Sequence, residues 1–454
     1  MLCTETGKLL EFRHLRKGTS KDRWEEANTR EVGRLLDGRH KTNTSGQGTN
    51  TITFLHPLSI PKDKKATYLR VCANYRPQKA DPFRIRWTVG GNLIVYNGET
   101  YTPNADIITA KLLFNSILST KHAKFLGIDL KDFYLGTEMP HPEYMLVQKN
   151  MLPEEIIQEY NLSELFHKGN ILARINKGMY GLPQAGRIAY DKLVTHLQKG
   201  GYVHAGRTPG LFKHKTRDLY FCLVVDDFGV KYVHKADAHH LINHLSKEYK
   251  CTVDWDGKIF LGIHLDWNYD KRTVDLSMPN YVTKARHIFN HQMPTTPEHS
   301  PHPYTAPRYG KHQQMVNNPT IRSLTPANRK IIERFVGLFQ YYGRTLDGTM
   351  LASISSIATN MTTAQQKDLD FRIKQFLNYA ATHPDAKIRF IASEMHLWIH
   401  SDASYLTEPK ARSRAGGFFY LSKKPNLPID PSQPAPPDNG PILILCKILD
   451  TIMS

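Results

Sequence analysis

Apolar residues recur along this chain in short runs that switch between two periods. Ile107, Ile108, Leu112, Leu113, Ile117 and Leu118 fall three to four apart, predicting a helix capped by Asn104 or Asp106. Phe125, Leu126 and Ile128 then read as a short strand, with Asp129 at or just past its end. Leu219 to Val225 is rich in β-branched and aromatic residues, and Gly229 to Val233 reads the same way. Together they predict a hairpin with Asp226-Asp227 at its tip. Between these segments, Ile188, Leu193 and Leu197 mark a helix that stops at Gly200-Gly201. Arg84 to Val89 alternates basic and apolar residues before Gly90-Gly91, which puts Arg84 and Arg86 on one strand face. Leu241, Ile242 and Leu245 predict a surface helix whose polar side carries His239, His240 and His244.

The flanking text is less regular. Residues 1–60 read as a basic N-terminal extension and linker, with a short helix from Trp24 to Leu36 and a flexible stretch from Thr42 to Thr51. Pro294 to Pro319 is Pro-, His-, Thr- and Gln-rich, an extended connector. Helical periodicity returns over Ile331–Tyr342 and Leu369–Tyr379. Three strands close the chain: His396 to Ser404 with an end at Asp402, Ala415 to Leu421, and Pro441 to Leu449. Strands and helices interleave throughout, so the fold class is α/β (α+β).

Two adjacent carboxylates at the tip of an apolar hairpin repel each other, and a divalent cation relieves that repulsion. A solvent-exposed turn is the plainer alternative, because Asp is a common turn residue. Asp129, brought in from another strand, completes a set that suits two hard cations such as Mg²⁺. On its own it is equally a turn or cap residue. Arg84 and Arg86, with Arg76 and Lys79 nearby, either meet a polyanionic ligand or form a solvated strand edge.

Four blocks occur in order: Asp129 with Tyr134 five residues on, Tyr180-Gly181-Leu182-Pro183-Gln184-Ala185-Gly186, Val225-Asp226-Asp227, and Phe260-Leu261-Gly262-Ile263. From about residue 60 to 275 this order and spacing resembles the reverse transcriptase of LTR retrotransposons. The copia type is the closest, ahead of the gypsy type, although Pro183 stands where copia elements more usually have lysine. The resemblance implies a right-hand polymerase fold, with fingers and palm over 61–290 and a connector with helical thumb or connection over 291–390. A ribonuclease H-like start would occupy 391–454.

The same resemblance makes Asp129, Asp226 and Asp227 the ligands of two Mg²⁺ or Mn²⁺ ions. Asp226 is the more direct ligand and Asp227 the supporting one. Tyr134 falls where the family places an aromatic gate against a 2′-hydroxyl, with Phe133 as the fallback. Gln184 matches the position that contacts the incoming nucleotide. Arg84 and Arg86 would meet its triphosphate, and Phe260 to Ile263 would grip the primer end. Lys247, Lys250 and Lys258 all qualify as proton donor to pyrophosphate. Implied partners are an RNA template, a DNA or tRNA-type primer, deoxynucleotides and the rest of a Pol polyprotein. The implied location is the cytoplasm, a virus-like particle or the nucleus. Asp402 would be the first ribonuclease H carboxylate, but Glu408, Asp430 and Asp450 do not match the others, so no ribonuclease H activity is expected.

Composition narrows little further. A net charge of +18 suits a polyanionic partner, and equally a non-catalytic nucleic-acid-binding protein. Cys3, Cys72, Cys222, Cys251 and Cys446 are scattered without a CxxC pair, which points to reduced thiols and away from a zinc site. No run of 18 apolar residues and no signal-peptide pattern occurs. Besides the polymerase, an inactive retroelement remnant and a non-catalytic basic binding protein remain as readings.

Overall fold

Apolar alternation along the strands decides which faces meet, and in the computed structural model the described strands collect into four sheets. The described residues are 10–39, 48–76, 81–303, 324–361, 366–408, 412–425, 436 and 439–449. The architecture is mixed α and β.

The first sheet runs Ile52–Leu55, Asn170–Lys177, Glu138–Gln148, Thr67–Tyr75, Phe83–Val89. The helix Lys21–Leu35 lies across it, because Trp24, Val32 and Leu35 sit on one helical stripe. These residues share a core with Ile52, Ile85, Trp87 and Ile175. Residues 12–35 and 52–55, read from the sequence as extension and linker, are thus built into the sheet and its cover. Residues 42–47 of the expected linker lie outside the described residues.

The second sheet positions the carboxylates. Its order is Lys250–Asp254, Lys124–Lys131, Asp227–Tyr232, Leu219–Val224, Leu211–His214, Tyr202–His204. One face carries Leu126, Ile128, Leu130, Phe228 and Val230 and packs on Leu193, Leu197, Leu241 and Leu245 of two helices, Ala185–Lys199 and Lys235–Leu245. The other face carries Phe125 and Cys222 and packs on Leu113, Phe114 and Ile117 of the helix Ile107–Ser119. Asp106 caps that helix by accepting from Thr109 N at 2.7 Å. Lys231, buried on this face, donates to Ser116 Oγ at 2.7 Å and Thr120 Oγ1 at 2.8 Å of the same helix.

The third sheet comprises Ile259–Phe260, Ile263–Asn268, Thr273–Ser277 and Lys387–Ile391. Beside it stand the helices Pro326–Thr345, Leu351–Asn360 and Gln366–Thr382, the first and last joined through the rings of Phe335, Phe339 and Phe376. The two helices expected over 331–342 and 369–379 are both present and longer than their apolar stripes. Of the expected connector, residues 294–303 have no helix or strand and residues 304–319 lie outside the described residues.

The last sheet, His396–Glu408, Arg412–Ser422, Pro441–Ile448, is antiparallel. It is tied to the Ile107–Ser119 helix by polar anchors. Lys111 Nζ donates to Pro441 O at 3.3 Å and to Arg344 O at 3.2 Å, and Asn439 Nδ2 donates to Asn115 Oδ1 at 3.2 Å. Leu397 and Ile399 on the edge strand stay exposed. Asp402 does not end its strand, as the sequence had suggested. The strand continues to Glu408, because Asp402, Ala403 and Ser404 keep pairing with Gly416, Ala415 and Arg414. Among the described residues no helix is long and apolar enough to cross a membrane.

Candidate active site

The strand Lys124–Lys131 runs past Asp129 rather than ending there. Two neighbours extend it: Lys250–Asp254 pairs as far as Lys131, and Leu130 N donates to Asp226 O at 3.0 Å. Asp129 therefore sits within the ladder, with Asp227 directly opposite on one side and Thr252 on the other. Residues opposite each other in antiparallel strands share a face. Asp226 occupies the turn beside them, following Val225 at φ +60°. A β-branched residue is strained in that left-handed region. The turn is held by Val225 N, which donates to Asn104 Oδ1 at 2.9 Å. Asn104 and Asp106, alternatives for one capping role in the sequence, divide two roles between them.

The next pair on the same face of the ladder is Gly229 opposite Gly127. A Cβ on Gly229 would meet the Phe260 ring at 2.8 Å. The missing side chains form a groove in which Phe260 lies across the sheet, one pleat below the carboxylates. This seats the hairpin of Ile259–Phe260 and Ile263–Asn268, whose turn residues Leu261 and Gly262 have φ of +53° and +75°. Tyr341 Oη of the long helix donates to Leu261 O at 2.6 Å, clamping the turn from outside.

The site's other wall comes from the first sheet. Val89 N donates to Tyr180 O at 2.7 Å, and Gly91 packs against Gly181 O. The Tyr180-Gly181-Leu182-Pro183 segment is therefore fastened to the end of the Arg84–Arg86 strand. Arg86 lays its guanidinium over the Tyr180 ring at 4.4 Å, and Tyr180 meets Tyr134 edge-on at 5.7 Å. Tyr134 sits in the turn after the Asp129 strand, close to Gly186. Gln184 is buried at the first helical turn but makes no capping bond there. Its Nε2 donates instead to Glu143 Oε1 at 3.2 Å.

Asp129, Asp226, Asp227, Tyr134, Arg84 and Arg86 come within electrostatic or pairing reach of one another, while Gln184 lies beyond Tyr180 with its amide on Glu143. Burial and then the neighbouring Asp226 and Asp129 charges push Asp227 up to about 6. Burial, and then Asp129, raises Asp226 as well, while its own backbone N–H and then Arg86 and Arg84 pull it back. Tyr134 is raised by burial and by Asp226. Arg84 is lowered by burial and by the charges of Arg86 and Arg76. Carboxylates crowd one side of the cleft and guanidiniums the other.

No known family model matches this chain. What the cleft can do must come from its chemistry. Among the described residues no group of three or more His, Cys, Asp and Glu forms a finished metal cage. Arg34 is committed to Glu31 and Asp132, and Lys258 to Asp256. Asp226 and Asp227, both raised by burial and by neighbouring charge, stand beside Asp129 and fit hard cations taking their remaining ligands from water or substrate oxygens. On the opposite wall the buried Arg76 Nε, Arg86 Nε and Gln184 Oε1 have no hydrogen-bond partner. Orphaned buried groups beside converging positive charge fit an anionic ligand with donors of its own.

Several neighbours escape a reading by pattern. Tyr180 is a ring in a loop motif, and its contact with Arg86 has no local signature. The Glu31-x-x-Arg34 spacing on a helix is visible in the sequence, but its target, Asp132, is 98 residues away. Of the three lysines considered, Lys250 shares the carboxylate face, since Lys250–Lys131 and Thr252–Asp129 are alternate pairs of one ladder. Lys258 is paired to Asp256 at 2.8 Å. Lys79, Asp430 and Asp450 lie outside the described residues. Asp402 is exposed, accepts from Ala403 N at 2.8 Å, and stands in the last sheet away from this cleft. Glu408 is committed to Arg414.

Proposed function

We propose that this chain is the reverse transcriptase region of an LTR-retrotransposon polyprotein, nearest the copia type, adding deoxynucleotides to a primer 3′-hydroxyl. In this reading the six-stranded sheet is the palm, and the first sheet with its covering helix forms the fingers. The helices from Pro326 to Thr382 are the thumb and connection, and the last sheet is a ribonuclease H-like start. The observation that carries the proposal is Asp129 opposite Asp227, with Asp226 in the adjoining turn, facing Arg84 and Arg86 across Tyr134 and Tyr180.

Asp129, Asp226 and Asp227 would hold two Mg²⁺ or Mn²⁺ ions, which when bound neutralise the attacking and leaving oxygens of an in-line phosphoryl displacement. Arg84 and Arg86 place positive charge where a triphosphate enters, and the unpaired Arg86 Nε supplies a donor. Tyr134 puts a ring edge where the sugar would lie, leaving no room for a 2′-hydroxyl. Gln184, steadied by Glu143, offers its free carbonyl oxygen to the nucleotide. Phe260 and the Leu261-Gly262 turn bring a primer end toward the carboxylate row. The chain's basic surface binds template and primer through their phosphates.

Primer extension on an RNA template, with Mg²⁺ and deoxynucleotides, tests this directly. The wild type extends, and the Asp226→Asn/Asp227→Asn double variant does not. Extension that survives in the double variant removes the carboxylates from the chemistry. A folded wild type that binds nucleic acid without extending it is an inactive remnant or a binding protein.

A further inference from the structure

Arg34 lies on the covering helix Lys21–Leu35, outside the four sequence blocks, yet it bridges the Tyr134 turn and the Arg84–Arg86 strand. Its Nη2 and Nε donate to Glu31 Oε2 at 2.7 and 3.1 Å, and its Nη1 bonds Asp132 Oδ1. Glu31 is buried, and its Oε1 accepts from Trp87 N at 3.3 Å. Trp87 follows Arg86 on the strand that supplies the cations. Asp132 opens the turn that carries Tyr134 and has φ +57°, a left-handed conformation that Asp adopts more readily than most side chains do.

The rest of that turn is shaped by Gly136 N to Asp132 O at 2.9 Å, Thr137 N to Tyr134 O at 3.0 Å and Thr137 Oγ1 to Phe133 O at 3.1 Å. These bonds set the turn's internal form. Leu135, buried in the first sheet's core, and Gly178 N to Thr137 O at 2.7 Å tie the turn's far end to that sheet, and the Arg34 fork ties its near end, at Asp132, to the cation strand. A planar guanidinium grips two carboxylates at a fixed angle, which an ammonium does not.

We propose that Arg34 is a positioning residue for sugar selection: through Asp132 it fixes the Tyr134 ring relative to the Arg84–Arg86 strand. This rests on the polymerase reading above. Arg34 touches no substrate; it acts through the placement of Tyr134. A ring displaced by a fraction of its width admits a 2′-hydroxyl while still permitting a deoxynucleotide.

The test compares kcat/KM for deoxy- and ribonucleotides in wild type, Arg34→Lys, Arg34→Ala, Asp132→Asn and Tyr134→Ala. Displacing a positioned group by about 1 Å costs up to ~100-fold, so Arg34→Lys and Arg34→Ala are expected to lower the deoxy/ribo ratio about tenfold. Deoxynucleotide use falls much less. Asp132→Asn acts in the same direction. Adding Arg34→Ala to Tyr134→Ala leaves the ratio where Tyr134→Ala alone put it, because the two act through one ring. Equal losses on both nucleotides, or an additive fall in the double variant, overturn the proposal.

A second measurement does not depend on catalysis. Fluorotyrosine at position 134 gives one fluorine resonance in the wild type and a shifted or split one in Arg34→Lys. An unchanged resonance overturns the positional link. If the wild type extends no primer, the polymerase reading fails while the resonance still decides whether Arg34 places Tyr134.

Discussion

Asp227 stands directly opposite Asp129 across two antiparallel strands, so their carboxylates share one face of the sheet. Together with burial and Asp226, this drives Asp227 up to about 6. An unfolded aspartate titrates near ~4, so between about pH 4 and 6 the folded chain holds this proton more tightly than the unfolded chain does. The metal-free protein therefore loses this contribution as pH rises through that window. Asp227→Asn removes the loss and stabilises the metal-free protein at pH 7 by on the order of 1 kcal/mol, allowing for solvent screening at a partly exposed group. Added Mg²⁺ raises Tm above about pH 6, where the carboxylates are ionised, and has little effect near pH 4. Thermal unfolding across this range, with and without Mg²⁺, checks both statements; a Mg²⁺ effect independent of pH contradicts them.

Gly229 is the floor on which Phe260 rests. A methyl group there meets the ring at 2.8 to 3.0 Å, so Gly229→Ala is expected to cost about 1–3 kcal/mol. Phe260→Leu in the same chain should recover part of that, since the smaller side chain vacates the contested space. Denaturant unfolding of both single variants and the double variant measures the coupling. Purely additive costs would mean the two residues do not press on each other.

Asn104→Ala removes the acceptor for Val225 N and leaves a left-handed valine without its anchor. The expected loss is about 1 kcal/mol of stability, with a larger relative loss of primer extension because Asp226 rides on that turn. Val225→Gly relieves the strain at φ +60° and should restore stability to Asn104→Ala without restoring extension. Parallel Tm and extension assays separate the two effects.

Lys111 is buried, and burial lowers its ammonium to about 8. Unfolded lysine titrates near ~10.4, so between about pH 8 and 10.4 the unfolded chain binds the extra proton. Stability attributable to this group therefore rises with pH over that window. Lys111→Met abolishes the rise but leaves Arg344 O and Pro441 O without their donor, loosening the last sheet. The difference between the wild-type and Lys111→Met stability curves from pH 7 to 10.5 isolates the lysine from other titrating groups. A difference that does not vary with pH is the contrary result.

The edge strand of the last sheet exposes Leu397 and Ile399 at 55% and 50%, an apolar edge open to another chain. Leu397→Lys with Ile399→Lys is expected to reduce self-association, read by light scattering against concentration, while leaving extension unchanged. Association that persists would place the sticky surface elsewhere.

The elements were largely legible in the sequence. The Asp226-Asp227 hairpin, the helices around Ile107 and Ile188, and the final three strands occur where periodicity and turn residues put them. Two boundaries were not. Asp129 and Asp402 both look terminal because a charge ends an apolar run, yet both strands continue through neighbouring ladders. Pairing partners arrive from elsewhere in the chain, and local pattern carries no record of them. The N-terminal region misleads for a related reason. Its polar composition suggests a linker, while one stripe of Trp24, Val32 and Leu35 is enough to cover a sheet.

Residue identity and period by themselves determined which side chains carry chemistry and which face of its own element each occupies, because both follow from covalent geometry repeated every two or 3.6 residues. Only the tertiary structure decided their company. It set Asp227 against Asp129, laid Phe260 in the groove at Gly229, fastened Tyr180 beneath Arg86, and bridged the Tyr134 turn and the Arg84–Arg86 strand with Arg34. Those relationships depend on how sheets stack and which loops meet, and packing between distant segments settles that only when the whole chain folds.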